Sequence, residues 1–436
     1  MRSSTRKERN VSLIVSKFGG TSMGSVERVR NNAERLVRMH EEGNQVVAVV
    51  SAMGSSTDDL LGLASEVSSN PPRREMDMLL STGEQVSMAI LAMAIESLGV
   101  HAVSLTGWQA GIVTDSIHTK AKIREVKPNH VKHYLSQGAI VIVAGFQGAT
   151  RDGEITTLGR GGSDTTAVAV AAGLGADVCE IYTDVDGVFT ADPRVVPHAK
   201  KLDAISYEEM LELSAAGSGV LQMRSVEFAR TYKVVIHCRS AFTDEPGTYI
   251  KEADDEMESA IISGIAYDSS EAKVTIRGVP DTVGVAAKLF KALAEQHCNL
   301  DMIIQNISED GYTDISFTSP ISDLPRVRAV CSEVIAELGA REYLVDESIS
   351  KISIVGTGMK SNPGVAAKMF DTLASAGINI SLISTSSIRT SVVVDGSQEK
   401  QAVRCLHTAF GLDSDSVFEE TQLSGEELAA KAAKGR

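Results

Sequence analysis

The segment Thr156–Asp164 (TTLGRGGSD) sets three glycines around Arg160 and follows them at once with a hydroxyl, Ser163, and a carboxylate, Asp164. The next residues, Thr165–Ala172, are helix formers, so Gly161 and Gly162 stand at a helix mouth, where free N–H groups and the helix dipole favour an anion. Arg160 suits a bidentate grip on a carboxylate. Asp164 could cap the helix or stand free, and a plain glycine turn capped by Ser163 or Asp164 is the alternative. A second segment, Lys17-Phe18-Gly19-Gly20-Thr21-Ser22, lies between an apolar run and a helical pattern. Its glycines let backbone N–H groups approach phosphate oxygens, and Lys17 can neutralise a transferring phosphoryl group. It matches neither the G-x-x-x-x-G-K-[ST] loop nor the dinucleotide fingerprint, and a strand–helix turn with an exposed lysine is the competing reading.

Thr183–Arg194 (TDVDGVFTADPR) follows another apolar run and packs three carboxylates, Phe189 and Arg194 into a turn-rich loop that could hold a nucleotide. Its Asp-x-Asp-Gly start resembles a calcium loop, but Arg194 stands where the closing Glu is required. Ser81-Thr82-Gly83-Glu84 opens a helical pattern, and Glu84 could bind a substrate ammonium or simply be a solvated first-turn residue. The nine histidines form no H-x-x-x-H pair.

The elements that must position these segments alternate. Val11–Phe18, Gln45–Ser51, Ala139–Gly145 and Cys179–Thr183 read as buried strands, and Ser25–His40, Glu75–Leu98 and Ser163–Gly173 as helices. That order predicts βαβ crossovers and a mostly parallel sheet sandwiched by helices. A charged stretch, Lys251–Ser259, reads as a linker. Beyond it the chain repeats itself: Gly284-Val-Ala-Ala-Lys288 matches Gly364-Val-Ala-Ala-Lys368, and Asn299 matches Asn379. Each copy has a strand before it (Lys273–Gly278; Lys351–Gly356) and one after (Thr313–Thr318; Arg389–Val394), which predicts two small α+β modules.

Composition narrows the function classes. The length favours several domains, and 43% hydrophobic residues suffice for real cores. The net charge of −15 disfavours nucleic acid and anionic membrane as partners. Five scattered cysteines without a C-x-x-C pair argue against a disulfide framework or zinc site. No signal-peptide core follows the basic N-terminus and no apolar run reaches ~20 residues, so a cytoplasmic protein is expected.

Together these segments resemble the aspartate kinases of the amino-acid kinase superfamily. The resemblance runs from about Val11 to about Leu412 and adds SAMG…TDDLL (Ser51–Leu61), REMDMLLSTGEQVSMAILAMA (Arg74–Ala94), SLTGWQAGIVTD (Ser104–Asp115) and GEITTLGRGGSDTTAVAVAA (Gly153–Ala172). The repeated modules look like paired ferredoxin-like ACT domains, closest to those of the lysine/threonine-regulated bacterial class. The resemblance implies an amino-acid kinase domain over 1–255, ACT modules over 264–345 and 346–425, a strand at 259–266 pairing with the second module, and a flexible tail at 426–436. It implies ATP-dependent phosphorylation of the aspartate side chain, with Mg²⁺ arriving on the nucleotide. Lys17, Phe18, Gly19, Gly20, Ser51, Thr183, Asp184, Phe189, Asp192 and Arg194 would surround ATP. Thr57, Glu84, Arg160, Gly161, Gly162 and Ser163 would hold aspartate, and Lys17, Arg160 and Asp164 would form the catalytic set. Lysine and/or threonine would bind at Asp281, Gly284, Val285, Ala286, Asn299, Asp301, Gln305, Asn379 and Ile380. A homo-oligomer, or assembly with a shorter ACT-only subunit starting near Met257, would follow.

The sequence departs from this pattern at four places, the least of them Phe189, where the family often has tyrosine. Gly219 stands where the family usually has a phosphate-binding lysine. Ser381 and Ser387 stand where the regulated class often has glutamates near the effector region. A kinase for a related amino acid, or a catalytically weakened regulatory homologue, are the alternative readings.

Overall fold

The computed structural model describes residues 11–254, 261–306, 310–362 and 364–414. Met257, most of the predicted linker and the predicted tail lie outside these residues. The chain forms two compact units, Met1–Val188 with Lys201–Ala215 and Gly219–Ser259, and Phe189–Lys200 with Ala216–Ser218 and Ala260–Arg436.

The first unit runs β1 (Leu13–Phe18), α1 (Val26–Glu41), β2 (Gln45–Val50), α2 (Ser56–Val67), α3 (Arg73–Ser97), β3 (Ala102–Leu105), β4 (Ile112–Thr114), β5 (Ile123–Val126), α4 (Asn129–Ser136), β6 (Ile140–Ala144), β7 (Gln147–Ala149), β8 (Ile155–Thr157), α5 (Gly162–Leu174), β9 (Val178–Thr183), β10 (Ala204–Ser206), α6 (Tyr207–Ala215), α7 (Met223–Tyr232), β11 (Ile236–Ser240) and β12 (Thr248–Lys251). Eight strands form one sheet in the order β10-β12-β11-β9-β1-β2-β6-β3, parallel except for β11 against β12. The central strands are buried on both faces, which is why they read as unbroken apolar runs. The chain winds from β1 toward β2 and later returns to β9 on the other side of β1. The carboxyl end of β1 is therefore a topological switch point, where open α/β sheets bind ligands. A small sheet, β5-β4-β7-β8, was not legible as strands in the sequence.

α1 starts where Ser25 Oγ accepts the Arg28 N–H at 3.2 Å, with Glu27 in its first turn and Arg38 and His40 in its last. α3 is long and apolar enough, by length and composition, to cross a membrane. This corrects the expectation that no apolar run reaches that length. Its buried face carries Asp77, Ser81, Glu84 and Ser87, so this helix belongs to a protein core.

The second unit contains β13 (Gly264–Asp268), β14 (Glu271–Pro280), α8 (Val285–Glu295), β15 (Asp301–Gln305), β16 (Tyr312–Pro320), α9 (Leu324–Leu338), β17 (Glu342–Asp346), β18 (Ile349–Val355), α10 (Val365–Ser375), β19 (Leu382–Thr385), β20 (Arg389–Asp395) and α11 (Glu399–Ala409). The first module closes its own sheet, β15-β16-β14-β17. The second has no strand of its own after α11 among the described residues and takes β13 instead, giving β13-β18-β20-β19. Phe189–Lys200 also belongs here: Ala191, Val195, Val196 and Ala199 are buried with Ile352, Met369 and Leu406 of the second module.

Candidate active site

The KFGGTS segment sits at the carboxyl end of β1. Lys17 is buried, and its Nζ lies 2.5 Å from Asp164 Oδ1. The first turn of α5, which opens on Gly162, delivers that carboxylate, so the glycine loop and the lysine meet through one ion pair. A Cβ on Gly19 would sit 3.4 Å from Lys17 Nζ, so glycine keeps space open over the ammonium. Gly20 packs on the carbonyls of Ala52 and Gly54. Ser51 N–H bonds Phe18 O and Gly145 N–H bonds Val50 O, which draws the ends of β1, β2 and β6 together. Ser163 lies against Gly145, where any Cβ would fall 2.8 Å from the serine side chain. Thr183 ends β9, which pairs with β1, Asp184 follows it, and Thr183 Oγ1 donates to Asp184 Oδ1 at 3.0 Å.

Glu84 is 3% exposed. One carboxylate oxygen accepts the Ala52 N–H at 3.1 Å; the other is buried with no hydrogen-bond partner among the described residues. Gly83 allows this approach, since its Cβ position is 2.9 Å from Ala52 Cβ. Burial raises the Glu84 carboxyl from 4.5 to about 7, with the Ala52 bond opposing. An orphaned, desolvated carboxylate oxygen is the complement of an incoming cation. Arg160 is exposed between Gly159 and Gly161, both left-handed, and Thr57 is half-buried in the first turn of α2.

Phe189, Asp192 and Arg194 belong to the second unit. Phe189 packs on the second module's core, while Asp192 forks to Arg194 and accepts from Tyr267 Oη at 3.4 Å. Gly219 remains in the first unit, with no atom within 4 Å of where its Cβ would stand.

The predicted effector residues lie in corresponding places of the two modules. Asp281, Gly284, Val285 and Ala286 surround the start of α8, Asn299, Asp301 and Gln305 the start and end of β15, and Asn379 and Ile380 the loop after α10. Asp301 is already engaged: the fully buried Lys351 of β18 reaches it at 3.1 Å and Glu271 at 2.5 Å. Ser381 and Ser387 are exposed. Among the described residues no cluster of His, Cys, Asp and Glu could hold a metal.

Sequence reasoning missed Asp77, His118, Thr157 and Arg224, which brace the glycine loop. The only available signal was that Asp77 precedes Glu84 by two helical turns on α3.

A family model described as the amino acid kinase family matches residues 12–240, and ACT-domain models match 274–330 and 352–410. The chain is 56% identical over 410 residues to the aspartokinase of Mycolicibacterium smegmatis, covering 93% of this chain and 97% of that one. The solved aspartate kinase from Synechocystis is 46% identical with a TM-score of 0.51, over 93% of this chain and 70% of that chain. The fold also matches E. coli aspartokinase III, crystallised with aspartate and ADP, at a TM-score of 0.77 and 23% identity over 91% of this chain and 99% of that chain. A lysine held by the first residues of a glycine-led helix, an orphaned buried glutamate and two ACT modules thus coincide with near-full-length identity, and the chain belongs to the aspartokinases of the amino acid kinase family.

Proposed function

We propose that this chain transfers the γ-phosphoryl group of ATP to the side-chain carboxylate of L-aspartate, giving 4-phospho-L-aspartate and ADP, at the head of aspartate-family amino-acid synthesis in the cytoplasm. The observation that carries this reading is the pairing of two unlike charged sites in one unit: Lys17 held by Asp164, and Glu84 with an unpartnered oxygen. Glu84 takes the substrate ammonium, while Arg160 grips a carboxylate and Ser163 and Thr57 complete the pocket. Gly19 and Gly20 offer N–H groups to the phosphates, and Lys17 faces the transferring group. Ser51, Thr183 and Asp184 line the nucleotide side together with Phe18.

The attacking carboxylate is already ionised at neutral pH. One of its oxygens forms the new bond to phosphorus as the bond from phosphorus to the ADP oxygen breaks, and no proton has to move. Catalysis therefore rests on positioning and charge neutralisation, which explains why the site contains no strong base. The exposed carboxylate of Asp184, one residue past β9, fits a cation carried on the nucleotide better than a resident one. Mg²⁺ on the phosphates supplies further neutralisation when bound.

Lysine and/or threonine act as effectors at the modules, with an effector ammonium competing with Lys351 for Asp301. Edge strands β15 and β19 each have one side unpaired among the described residues, which supports a homo-oligomer or assembly with a shorter ACT-only chain.

Aspartyl hydroxamate formation with ATP and Mg²⁺ tests the activity, with glutamate and other small amino acids as competitors. Aspartate-dependent ADP release at a rate above every competitor is expected. A faster rate with another amino acid overturns the substrate assignment.

A further inference from the structure

Asp77 is fully buried on α3, and four contacts converge on its carboxylate. Thr157 Oγ1 donates to Oδ1 at 2.5 Å, the Thr119 N–H is shared between the two oxygens at 3.0 and 3.1 Å, and His118 Nδ1 stands 2.7 Å from Oδ2. Two of these partners adjoin the glycine loop. Thr157 leads directly into Leu158-Gly159-Arg160-Gly161. Thr119 holds φ +70°, a left-handed conformation that a β-branched residue adopts only under constraint. Its carbonyl lies against Gly159, 3.1 Å from where a Cβ would be.

Arg224 braces the same loop from the other side. Its guanidinium donates to Leu158 O and to Ala121 O, each at 2.8 Å, and the Ala121 N–H returns to Thr157 O at 2.9 Å. Without these bonds, two left-handed glycines flanking Arg160 would leave that residue with many backbone states.

Asp77 and Glu84 sit seven residues apart on one uninterrupted helix, on the same face and about 10.5 Å apart along its axis. The middle of this rigid rod thus carries the orphaned glutamate, and its N-terminal part holds the loop that presents Arg160. We infer that Asp77, with Thr157 and Arg224, is a positioning and specificity-determining element that fixes the span between Glu84 and Arg160, and so the length of amino dicarboxylic acid the site accepts. The inference rests on the substrate roles proposed above for Glu84 and Arg160.

Three variants of the full chain test it: Thr157→Val, which deletes one donor isosterically, Arg224→Gln, and Asp77→Asn. Each is measured for melting temperature, KM for aspartate, KM for ATP, and the ratio of kcat/KM for aspartate to that for glutamate. The expected result is a rise of about tenfold in aspartate KM, with ATP KM within about twofold and a several-fold loss of discrimination against glutamate. Destabilisation alone would not move that last ratio. An unchanged aspartate KM, or equal rises in both KM values, in variants that melt like the parent overturns the inference. Should Asp77→Asn fail to fold, Thr157→Val decides, because it leaves the buried carboxylate and its other donors in place. Absence of aspartate-dependent turnover in the parent protein would instead overturn the substrate assignment itself.

Discussion

The two charged ends of the catalytic unit are built in opposite ways. On the phosphate side Lys17 is already matched, locked to Asp164 at 2.5 Å with glycine clearing the space above it. On the ammonium side Glu84 is left incomplete, with one oxygen bonded to Ala52 N–H and the other bonded to nothing described. A matched charge is preorganised, and its partner offsets much of the cost of burying it. An orphaned one destabilises the empty protein and recovers that energy only when a cation arrives. Under the proposed function, the contrast separates a group that must be in place for chemistry from a group that must discriminate at binding.

Replacing Lys17 with alanine tests the matched side and has the largest expected effect. It should lower kcat about 10³-fold and leave aspartate KM within a few-fold, as measured by coupled ADP release. A loss below tenfold would place the transition-state charge elsewhere. Glu84→Gln comes next: aspartate KM should rise about 100-fold while ATP KM holds. The same change should stabilise the empty protein in alkaline buffer. Burial lifts the folded-state carboxyl from 4.5 to about 7, so its contribution to stability is intact below pH 4.5 and lost as pH climbs through 7. The loss is worth at most about 3 kcal/mol, so Glu84→Gln should melt higher than the parent at pH 8 and not at pH 4.5. A variant that melts lower at pH 8 would mean the orphaned oxygen carries no strain.

A smaller effect follows from the same carboxyl. An ammonium needs the ionised form, so aspartate KM should fall about fivefold from pH 6 to pH 7, about tenfold by pH 8, and level off above pH 8. The profile should be flat in Glu84→Gln. The smallest change is expected from Gly219→Lys, which fits without collision because no atom lies within 4 Å of its Cβ position and its φ is not left-handed. A gain of about threefold or more in kcat would show the phosphate side to be one cation short. An unchanged kcat would show that Lys17 suffices.

The sequence carried this contrast unevenly. Lys17, Asp164, Glu84 and Arg160 were legible because glycines, charges and helix starts fall together over a few residues. The parallel order of β1, β2, β6 and β9 was legible because strands buried on both faces are apolar throughout. Asp77, His118, Thr157 and Arg224 were not, since their partnership spans from Asp77 to Arg224 and each residue alone looks ordinary. The membership of Phe189–Lys200 was equally hidden: a turn-rich loop beside a nucleotide motif gives no local sign that Val195 and Val196 fill another unit's core. The borrowed strand β13 escapes repeat analysis, because it precedes the first copy yet pairs in the second, and only the family resemblance pointed to it, through the expected strand at 259–266.

That wandering segment bears on how such enzymes can be cut and recombined. With its Nδ1–H given to Asp413, buried His407 accepts the Thr190 hydroxyl through Nε2 at 2.8 Å, and Arg404 donates to Val195 O at 2.7 Å. The heritable regulatory cassette is therefore discontinuous in the gene. A transplant that starts at the linker after β12 leaves part of its own core behind in the donor, and the recipient's segment must fit a groove shaped by another lineage. Chimaeras between relatives should exchange Phe189–Lys200 together with the downstream modules.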